Sequence, residues 1–327
     1  MKVKIVELHK AMRKILIDKH FPASEANDIA NVLLYAEVSG KNTQGIIKFL
    51  GNEPIQNIVS EYKPKIIKDT KLSTLIDGGR NAGILVSAVA TRIAIKKCRE
   101  EGLAIVGTNN TYSSTGALGY YVNEIAKNDF IGVVMSGTPK AVAPYGGIEK
   151  LLGINPIAFG FPTETDPIIF DMATAAITWY GLVRAKMLRE RLPSGLAIDR
   201  KGNVTKDPEE AMKGAILTFG KDYKGSGLSF MIEMFTGPLL GVTSDSRGKW
   251  YNGSLFVAID PNLLIGRDSF KKNSSLLIDK IKKSKPGKNI KKVLIPGQKA
   301  LKLRKQVELR GLVEVDSKIY KEFIKLI

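Results

Sequence analysis

The chain is poor in the residues that build disulfides and metal sites. Its 327 residues include one cysteine, Cys98, and two histidines, His9 and His20. One cysteine excludes an internal disulfide and most metal clusters. Both histidines fall in helical segments without a recognisable carboxylate spacing, which excludes catalytic zinc. We therefore predict that the protein holds no metal and that Cys98 is a half-buried helix residue, not an activated thiol.

Long apolar runs are also missing. No stretch approaches the roughly twenty uninterrupted apolar residues of a membrane-spanning helix. The first residues, MKVKIVELHKAMRK, carry charges where a signal peptide would be apolar. These absences predict a cytoplasmic protein that does not act at a membrane. With 44% hydrophobic residues, a chain of this length buries a large core.

Acidic residues are scarce relative to basic ones. There are 50 lysines and arginines against 32 aspartates and glutamates, a net charge of +18. The excess is concentrated toward the C-terminus, in KKNSSLLIDKIKKSKPGKNIKKV and KALKLRKQVELR. Neither run is interleaved with aromatics, and no zinc-finger, basic-zipper or RNA-recognition signature is present. We therefore predict a solvated lysine-rich face, no nucleic-acid partner and a small anionic ligand.

Helix and strand patterns alternate along the chain. Apolar residues at helical spacing predict two helices between about residues 6 and 38, and KLSTLIDGGR predicts a short strand before a long amphipathic helix over residues 83–101. The order helix, polar turn and buried strand then occurs twice, in AIKKCREEGLAIVGT and VNEIAKNDFIGVVMSGT. Such repeated units are typical of α/β proteins and favour parallel pairing of their strands.

Two later segments join a strand or a glycine turn to a helix. PIIFDMATAAITWYGLVRAK predicts a strand leading into a helix, and DYKGSGLSFMIEMFTGPLLG predicts a glycine-rich turn that enters a buried helix. Helix N-termini suit phosphate and ribose oxygens, although Asp171 and Thr174 would serve equally well as N-cap residues. Neither the dinucleotide fingerprint G-x-G-x-x-G nor the P-loop is present. Near the C-terminus, SLFVAID predicts a strand, and LRGLVEVDSKIYKEFIKLI predicts a strand and a helix.

Several motifs share their order with one known family. From the N-terminus they are SGKNTQG-IIK, GALGYYVNEIA, VAPYGG, GINPIAFGFP, DMAT, P-SG-A-D-KGN-T-DP, KGSGLSFMIEMFTGPLLG and PGQ. In this the chain resembles the malate/L-lactate dehydrogenase family of NAD(P)-dependent oxidoreductases, which includes ureidoglycolate, sulfolactate and piperideine-2-carboxylate enzymes. The resemblance implies a three-layer α/β fold with a mixed sheet, distinct from the classical Rossmann fold. It also implies NAD or NADP as cofactor, a small 2-hydroxy or 2-oxo acid as substrate, and a homodimer with its active site near the subunit interface.

We expect one catalytic unit over residues 1–327. It divides into an N-terminal helical region to about residue 70, a cofactor-binding core to about residue 240, and a C-terminal region that packs back on the N-terminal part. The resemblance implies that Asn155 and Pro156 shape the wall of the cofactor site. The implied cofactor-binding residues are Thr138, Asp171, Met172, Ala173, Lys224, Pro296, Gly297 and Gln298. Among them, a helix N-terminus, a cation and a turn suit a dinucleotide.

The catalytic side departs from the family pattern. Where relatives carry S-H-G and an arginine four residues after the histidine, this chain has Gln44 and Lys48. The second family histidine, the proton acceptor, falls in the segment NNTYSSTGALGYY. There Ser114 stands at the nearest register, and Tyr112 and Ser113 are alternatives because of an apparent one-residue insertion. Both family histidines are therefore missing.

Reducing a 2-oxo acid needs a hydride, a cation for the carboxylate and a proton for the developing alkoxide. Lys48 supplies a cation, although without the bidentate fork of arginine, and Gln44 donates a hydrogen bond but cannot shuttle a proton. Two functions are consistent with this. Either the chain is an active dehydrogenase in which Tyr112, or a water held by Ser113 and Ser114, replaces the histidine, or it keeps the cofactor pocket and serves as a binding or regulatory protein. We favour the dehydrogenase because the cofactor-side motifs are kept while the catalytic positions change together.

Overall fold

The computed structural model describes residues 1–51, 54–220, 222–242 and 252–327. Within them the helices are α1 (Ile5–Asp18), α2 (Ala23–Val38), α3 (Gly83–Glu101), α4 (Leu118–Lys127), α5 (Trp179–Leu188), α6 (Pro208–Lys213), α7 (Tyr223–Thr236), α8 (Arg267–Lys282), α9 (Gln298–Arg310) and α10 (Ser317–Ile324). The strands are β1 (Lys2–Lys4), β2 (Lys65–Asp69), β3 (Ser73–Asp77), β4 (Leu103–Thr111), β5 (Ile131–Ser136), β6 (Ile157–Phe161), β7 (Ile168–Met172), β8 (Ala197–Ile198), β9 (Val204–Thr205), β10 (Ala215–Ile216), β11 (Asn252–Ile259) and β12 (Leu312–Glu314).

A seven-stranded mixed sheet has the order β2-β3-β4-β11-β5-β6-β7. β3 and β4 pair in parallel, and the other neighbouring pairs are antiparallel. The predicted mixed sheet is confirmed. The predicted parallel pairing of the two repeated helix–strand units is wrong, because β11 lies between β4 and β5 and pairs antiparallel with both. A helix–strand unit determines the direction of its own strand. It does not determine which strand pairs with it, because a strand from a distant part of the chain can insert between two such units.

Side chains that alternate along the central strands build the three layers. In β5 and β11, Val134 and Phe256 join the core formed with α3 and α4, whereas an adjacent residue of each strand, Met135 or Leu255, packs with Ile232 of α7. Successive strand residues point to opposite faces, so both faces of the sheet are covered. The predicted three-layer α/β fold is confirmed.

The helix α3 has the bounds that the sequence predicts. It ends at Gly102, whose φ of 78° lies in the left-handed region and whose N–H donates to the Cys98 carbonyl at 2.9 Å. Cys98 is fully buried, so the half-buried prediction is wrong in degree. Burial raises the pKa of this thiol to about 12, which keeps it protonated and unreactive, as predicted.

The two ends of the chain meet. β1 pairs antiparallel with β12, and α10 packs on the turn that holds Ile46–Phe49, where the rings of Phe49 and Phe323 lie 5.2 Å apart between centroids. The strand predicted at SLFVAID is confirmed as β11, and the late strand and helix are confirmed as β12 and α10. In the described part of the chain, no helix is both long enough and apolar enough to span a bilayer.

A second, smaller core supports the loops around the site. The three-stranded sheet β10-β8-β9 packs with α5 and α6 around Val142, Leu182 and Ile216. By contrast, α7 is only half covered, and the prediction of a buried helix holds for one face alone. Its other face exposes the apolar side chains of Phe230, Met231, Met234 and Phe235.

Candidate active site

Three connecting segments, one strand end and the start of one helix enclose a cavity of about 470 Å³, which we call the active cavity. Its walls come from the segment after α2, the loop between β4 and α4, the loop after β5, the end of β7 and the start of α5. Nine of the residues singled out in the sequence line it: Gln44, Lys48, Ser113, Ser114, Thr138, Pro156, Asp171, Met172 and Ala173. The fold therefore brings the implied catalytic and cofactor residues together from four distant segments.

Asp171 fastens two of these walls to each other. Its Oδ2 accepts a hydrogen bond from the Gly119 N–H at 2.9 Å, at the N-terminus of α4, and forms an ion pair with Lys41. A carboxylate at a helix N-terminus is favoured by the helix dipole. Asp171 and Thr174 do not cap α5, because that helix begins later and Thr178 caps it through a 3.0 Å bond from Gly181 N–H. Asp171 thus belongs to the cavity itself.

The GINP segment forms the floor behind Thr138. The Thr138 hydroxyl accepts from the Ile154 N–H at 2.7 Å, and Pro156 lines the active cavity. Asn155 lies behind the wall, fully buried with a φ of 43°, and its Nδ2 donates to Glu233 Oε2 at 2.7 Å. The other oxygen of Glu233 forms an ion pair with Lys140, a further cation in the cavity wall. α7 therefore holds both the floor and one lysine in place.

The segment that carries Gln44 and Lys48 is shaped by a buried glutamate. Glu37, at the end of α2, accepts from the Ile46 N–H at 2.7 Å through Oε1. A Cβ at Gly45 would lie 2.0 Å from that oxygen, so only glycine lets the chain approach so closely. Burial raises the pKa of Glu37 to about 7, outweighing the Ile46 hydrogen bond that lowers it.

Lys48 projects into the active cavity from a buried position. Lys48 is buried, with only 3% of its surface exposed. Its Nζ lies 3.5 Å from the ring centroid of Tyr180, the second residue of α5. Burial lowers the pKa of Lys48 well below its ordinary value of 10.5. A buried ammonium over an aromatic face is partly compensated by the ring's negative potential.

The serine loop and Tyr112 lie in different places. Ser113 and Ser114 line the active cavity, and the Ser114 Oγ accepts from the Gly116 N–H at 3.0 Å. Tyr112 is not among the lining residues of this cavity. Its backbone is bonded to Asn81 and Gly83, which places it beside the start of α3. Geometry therefore favours the serines over Tyr112 as groups near a substrate.

The late PGQ turn lines a neighbouring cavity of about 290 Å³, which shares Lys41 and Asp171 with the active cavity. Pro296 and Gly297 line this second cavity together with Arg304. The Oε1 of Gln298 accepts a hydrogen bond from the Ile295 N–H at 3.2 Å. Lys224 lines neither cavity. It is exposed on α7, with its Nζ 3.6 Å from Asp222 Oδ2.

Several of the cavity residues that were not anticipated from the sequence carry a cation or an aromatic ring. Each lies close to a quoted motif. The sequence does not show, however, whether a single lysine or aromatic side chain points into the cavity, because this depends on how the loops fold. Trp179 and Tyr180 line the cavity only because α5 begins at its rim. The cavity residues of this kind include Lys41, Lys140, Trp179, Tyr180 and Arg304.

Comparison with known proteins defines the class. The family described as malate/L-lactate dehydrogenase matches residues 3–324, and the chain belongs to this family. It is therefore a dehydrogenase acting on a CH–OH group. It is 34% identical to L-sulfolactate dehydrogenase of Methanocaldococcus jannaschii, covering 95% of this chain and 93% of that protein. It is 35% identical to malate/(S)-sulfolactate dehydrogenase of Methanothermus fervidus, covering 94% and 91%.

Solved structures agree with this assignment. The sulfolactate dehydrogenase structure from Methanocaldococcus jannaschii matches with a TM-score of 0.84 at 30% identity, covering all of this chain and 96% of that one. The malate dehydrogenase structure from Pyrococcus horikoshii matches with a TM-score of 0.87 at 27% identity, covering 100% and 94%. The family predicted from the motifs is confirmed.

Proposed function

We propose that this chain transfers a hydride between a nicotinamide cofactor, NAD or NADP, and a small anionic 2-hydroxy or 2-oxo acid. The observation that carries the proposal is the convergence of Thr138, Asp171 and Lys48 on one cavity of about 470 Å³. Sulfolactate and malate, the substrates in the relatives' names, are both small acids with two anionic groups. Lysines in the cavity walls complement such a charge.

The residues present fit a dinucleotide. Asp171 Oδ1 has no hydrogen-bond partner among the described residues, which leaves it to accept from a ribose hydroxyl. In the second cavity, the Ser39 hydroxyl is buried without a partner in the described part of the chain. Arg304, Lys41 and the N-terminus of α9 lie around the same space, and positive groups of this kind bind phosphates.

The cofactor and the protein divide the chemistry. When bound, the nicotinamide supplies or accepts the hydride. The walls of the active cavity orient the acid, and Gln44 donates a hydrogen bond to a carbonyl or carboxylate oxygen. Lys224 and Gln298 stay predictions as cofactor contacts, since neither lines a cavity.

The first experiment measures turnover and binding separately. Oxidation of NADH and NADPH is followed by absorbance with oxaloacetate, sulfopyruvate and pyruvate, and nucleotide binding is followed by the fluorescence of Trp179, which lines the cavity. Turnover with at least one acid supports the proposal. Nucleotide binding without turnover supports a binding or regulatory function instead, and no binding overturns both.

A matched pair of variants tests the role of Asp171. Asp171→Asn keeps the size but removes the charge that holds Lys41, so we expect the Kd for nucleotide to rise about tenfold or more. The control is Asp18→Asn, the same change in an exposed ion pair with Lys14, where we expect less than a twofold effect. Equal Kd values for Asp171→Asn and the control would contradict the assignment.

We further propose that the protein is a cytoplasmic homodimer formed through α7. The exposed face of α7 supports a second copy as its partner, because contiguous apolar side chains on a surface mark interaction sites. Met231→Glu, in the middle of this face, should shift the sedimentation coefficient toward the monomer. Val204→Glu, an equally exposed apolar residue on β9, should leave it unchanged. A dimer that survives Met231→Glu would place the interface elsewhere.

A further inference from the structure

Lys48 differs from the other lysines of the active cavity in having no carboxylate partner among the residues that the structure describes. Lys41 forms an ion pair with Asp171, and Lys140 forms one with Glu233. Within the described ranges, no carboxylate oxygen lies within 4.0 Å of the Lys48 Nζ. Two of the cavity lysines are therefore ion-paired, whereas Lys48 has no such pair within the described ranges.

In the described part of the chain, the elements packed against Lys48 place no anion beside its ammonium group. From α5, the face of Tyr180 lies 3.5 Å from the Nζ. From α2, Glu37 directs its Oε1 to the Ile46 N–H, and charged groups do not contribute to the lowered pKa of Lys48, which burial alone causes. From α10 the buried side chains Ile319 and Phe323 are apolar. Such surroundings favour the neutral amine over the ammonium.

The remaining polar groups of the cavity are poor proton carriers. The Gln44 amide does not titrate near neutral pH, and the Ser113 and Ser114 hydroxyls need a base to activate them. The family's histidines are absent at both catalytic positions, and His9 and His20 lie outside the cavity lining. Lys41 and Lys140 also line the cavity, in ion pairs with Asp171 and Glu233.

We propose that Lys48 is the catalytic residue that gives a proton to the substrate oxygen in reduction and removes it in oxidation; this rests on the proposed function. As the hydride bonds to the carbonyl carbon, the C=O π pair moves onto oxygen. The Lys48 N–H bond breaks and an O–H bond forms, which leaves a neutral amine that water reprotonates. In the reverse direction the neutral amine takes the hydroxyl proton while the C–H bond yields the hydride. Lysines with a lowered pKa act as general acids and bases in this way.

Replacement by arginine separates this role from carboxylate anchoring. Arginine keeps the cation but does not deprotonate in proteins. If Lys48 transfers the proton, kcat of Lys48→Arg and Lys48→Met falls about 100-fold or more while KM changes less than about threefold. If Lys48 only anchors a carboxylate, Lys48→Arg keeps kcat and KM, and that result overturns the proposal. Lys14→Arg on the exposed face of α1 is the matched control, with unchanged kcat.

Rescue guards against a folding defect. Lys48→Ala should regain about tenfold in kcat with methylamine, because a small amine fits the space of the missing side chain, and guanidinium should not restore it. Each variant is compared with the wild type by thermal unfolding and by nucleotide Kd. Rescue by guanidinium and methylamine alike would overturn proton transfer, since only a positive charge would then be needed.

A second readout needs no turnover. The ligand-free protein is treated with trace acetic anhydride at a series of pH values, and the modified lysines are identified by peptide mass. Lys48 should reach half of its maximal reactivity at a lower pH than Lys14, and titration of both together would overturn the proposal. Absence of turnover in the wild type overturns the proposed function and this role together, whereas turnover that survives Lys48→Arg overturns the role alone.

Discussion

Replacing Glu37 by glutamine should change how stability depends on pH: relative to the wild type, the variant should gain stability as the pH rises from 5 to 8. Glu37 is 2% exposed, its Oε1 accepts from the Ile46 N–H, and its Oε2 has no partner among the described residues. Burial therefore penalises the ionised carboxylate, and its pKa rises from 4.5 to about 7. The glutamine side chain keeps the acceptor for Ile46 and carries no charge.

The sign and size follow from linkage. A carboxyl whose pKa is raised on folding stabilises the native state fully below pH 4.5, and this contribution is lost as the pH rises through about 7. At about 1.4 kcal/mol per unit, the full loss is about 3.4 kcal/mol, of which about 2.5 kcal/mol falls between pH 5 and pH 8. The neutral amide of the variant has no such loss. Any constant cost of its unpaired N–H group cancels when two pH values are compared.

The assay is urea unfolding of the wild type and Glu37→Gln at pH 5, 6, 7 and 8, with the same protein concentration throughout. The difference in the free energy of unfolding between the two proteins should grow by about 2.5 kcal/mol from pH 5 to pH 8. Glu7→Gln, an exposed residue of α1, is the control and should show no such trend. If the free energy of unfolding depends on pH in the same way for the wild type and Glu37→Gln, the claim that burial raises the pKa of Glu37 is refuted.

Two further predictions concern the walls of the two cavities. Gly297→Ala forces a φ of 74° on alanine and places its Cβ 2.1 Å from the Ile169 carbonyl oxygen. Thermal unfolding should therefore show a loss of stability of about 1–3 kcal/mol, and Trp179 fluorescence should show weaker nucleotide binding. The control Gly195→Ala, with a similar φ and open space around the new Cβ, should cost less stability. Thr174→Val removes the hydroxyl that bonds the Ile154 and Asn155 carbonyls at 3.0 Å, and urea unfolding should show a loss of about 1–3 kcal/mol. An unchanged midpoint for Thr174→Val would show that water or another group satisfies those carbonyls.

Among the described residues, local patterns were enough to place most of the helices and about half of the strands. The helix over residues 83–101 is specified by its apolar spacing and by Gly102, which takes the left-handed conformation that ends it. The strand at SLFVAID and the last helix follow from similarly local signals. The motif order also predicted the family, because eight segments in one order specify a chain far more narrowly than any single pattern does.

Neighbours in space were decided by the tertiary structure. β11 is an apolar strand whichever sheet position it takes, and its place between β4 and β5 depends on hydrogen bonds to residues more than a hundred positions away. The same holds for the site. Asp171 reads as an N-cap in the sequence, yet the fold brings it to Gly119 and Lys41.

The sequence by itself determined the fold class, the family and the absence of histidine at the two positions where the family resemblance implies one. Only the tertiary structure decided that Lys48 is buried beside an aromatic ring with no carboxylate partner among the described residues, that Tyr112 lies away from the cavity lining, and that Lys140 is paired with Glu233. Propensity and periodicity act over a few residues, so they fix what a segment is. The pKa of a side chain depends on the charges and solvent around it, which the folded chain alone supplies.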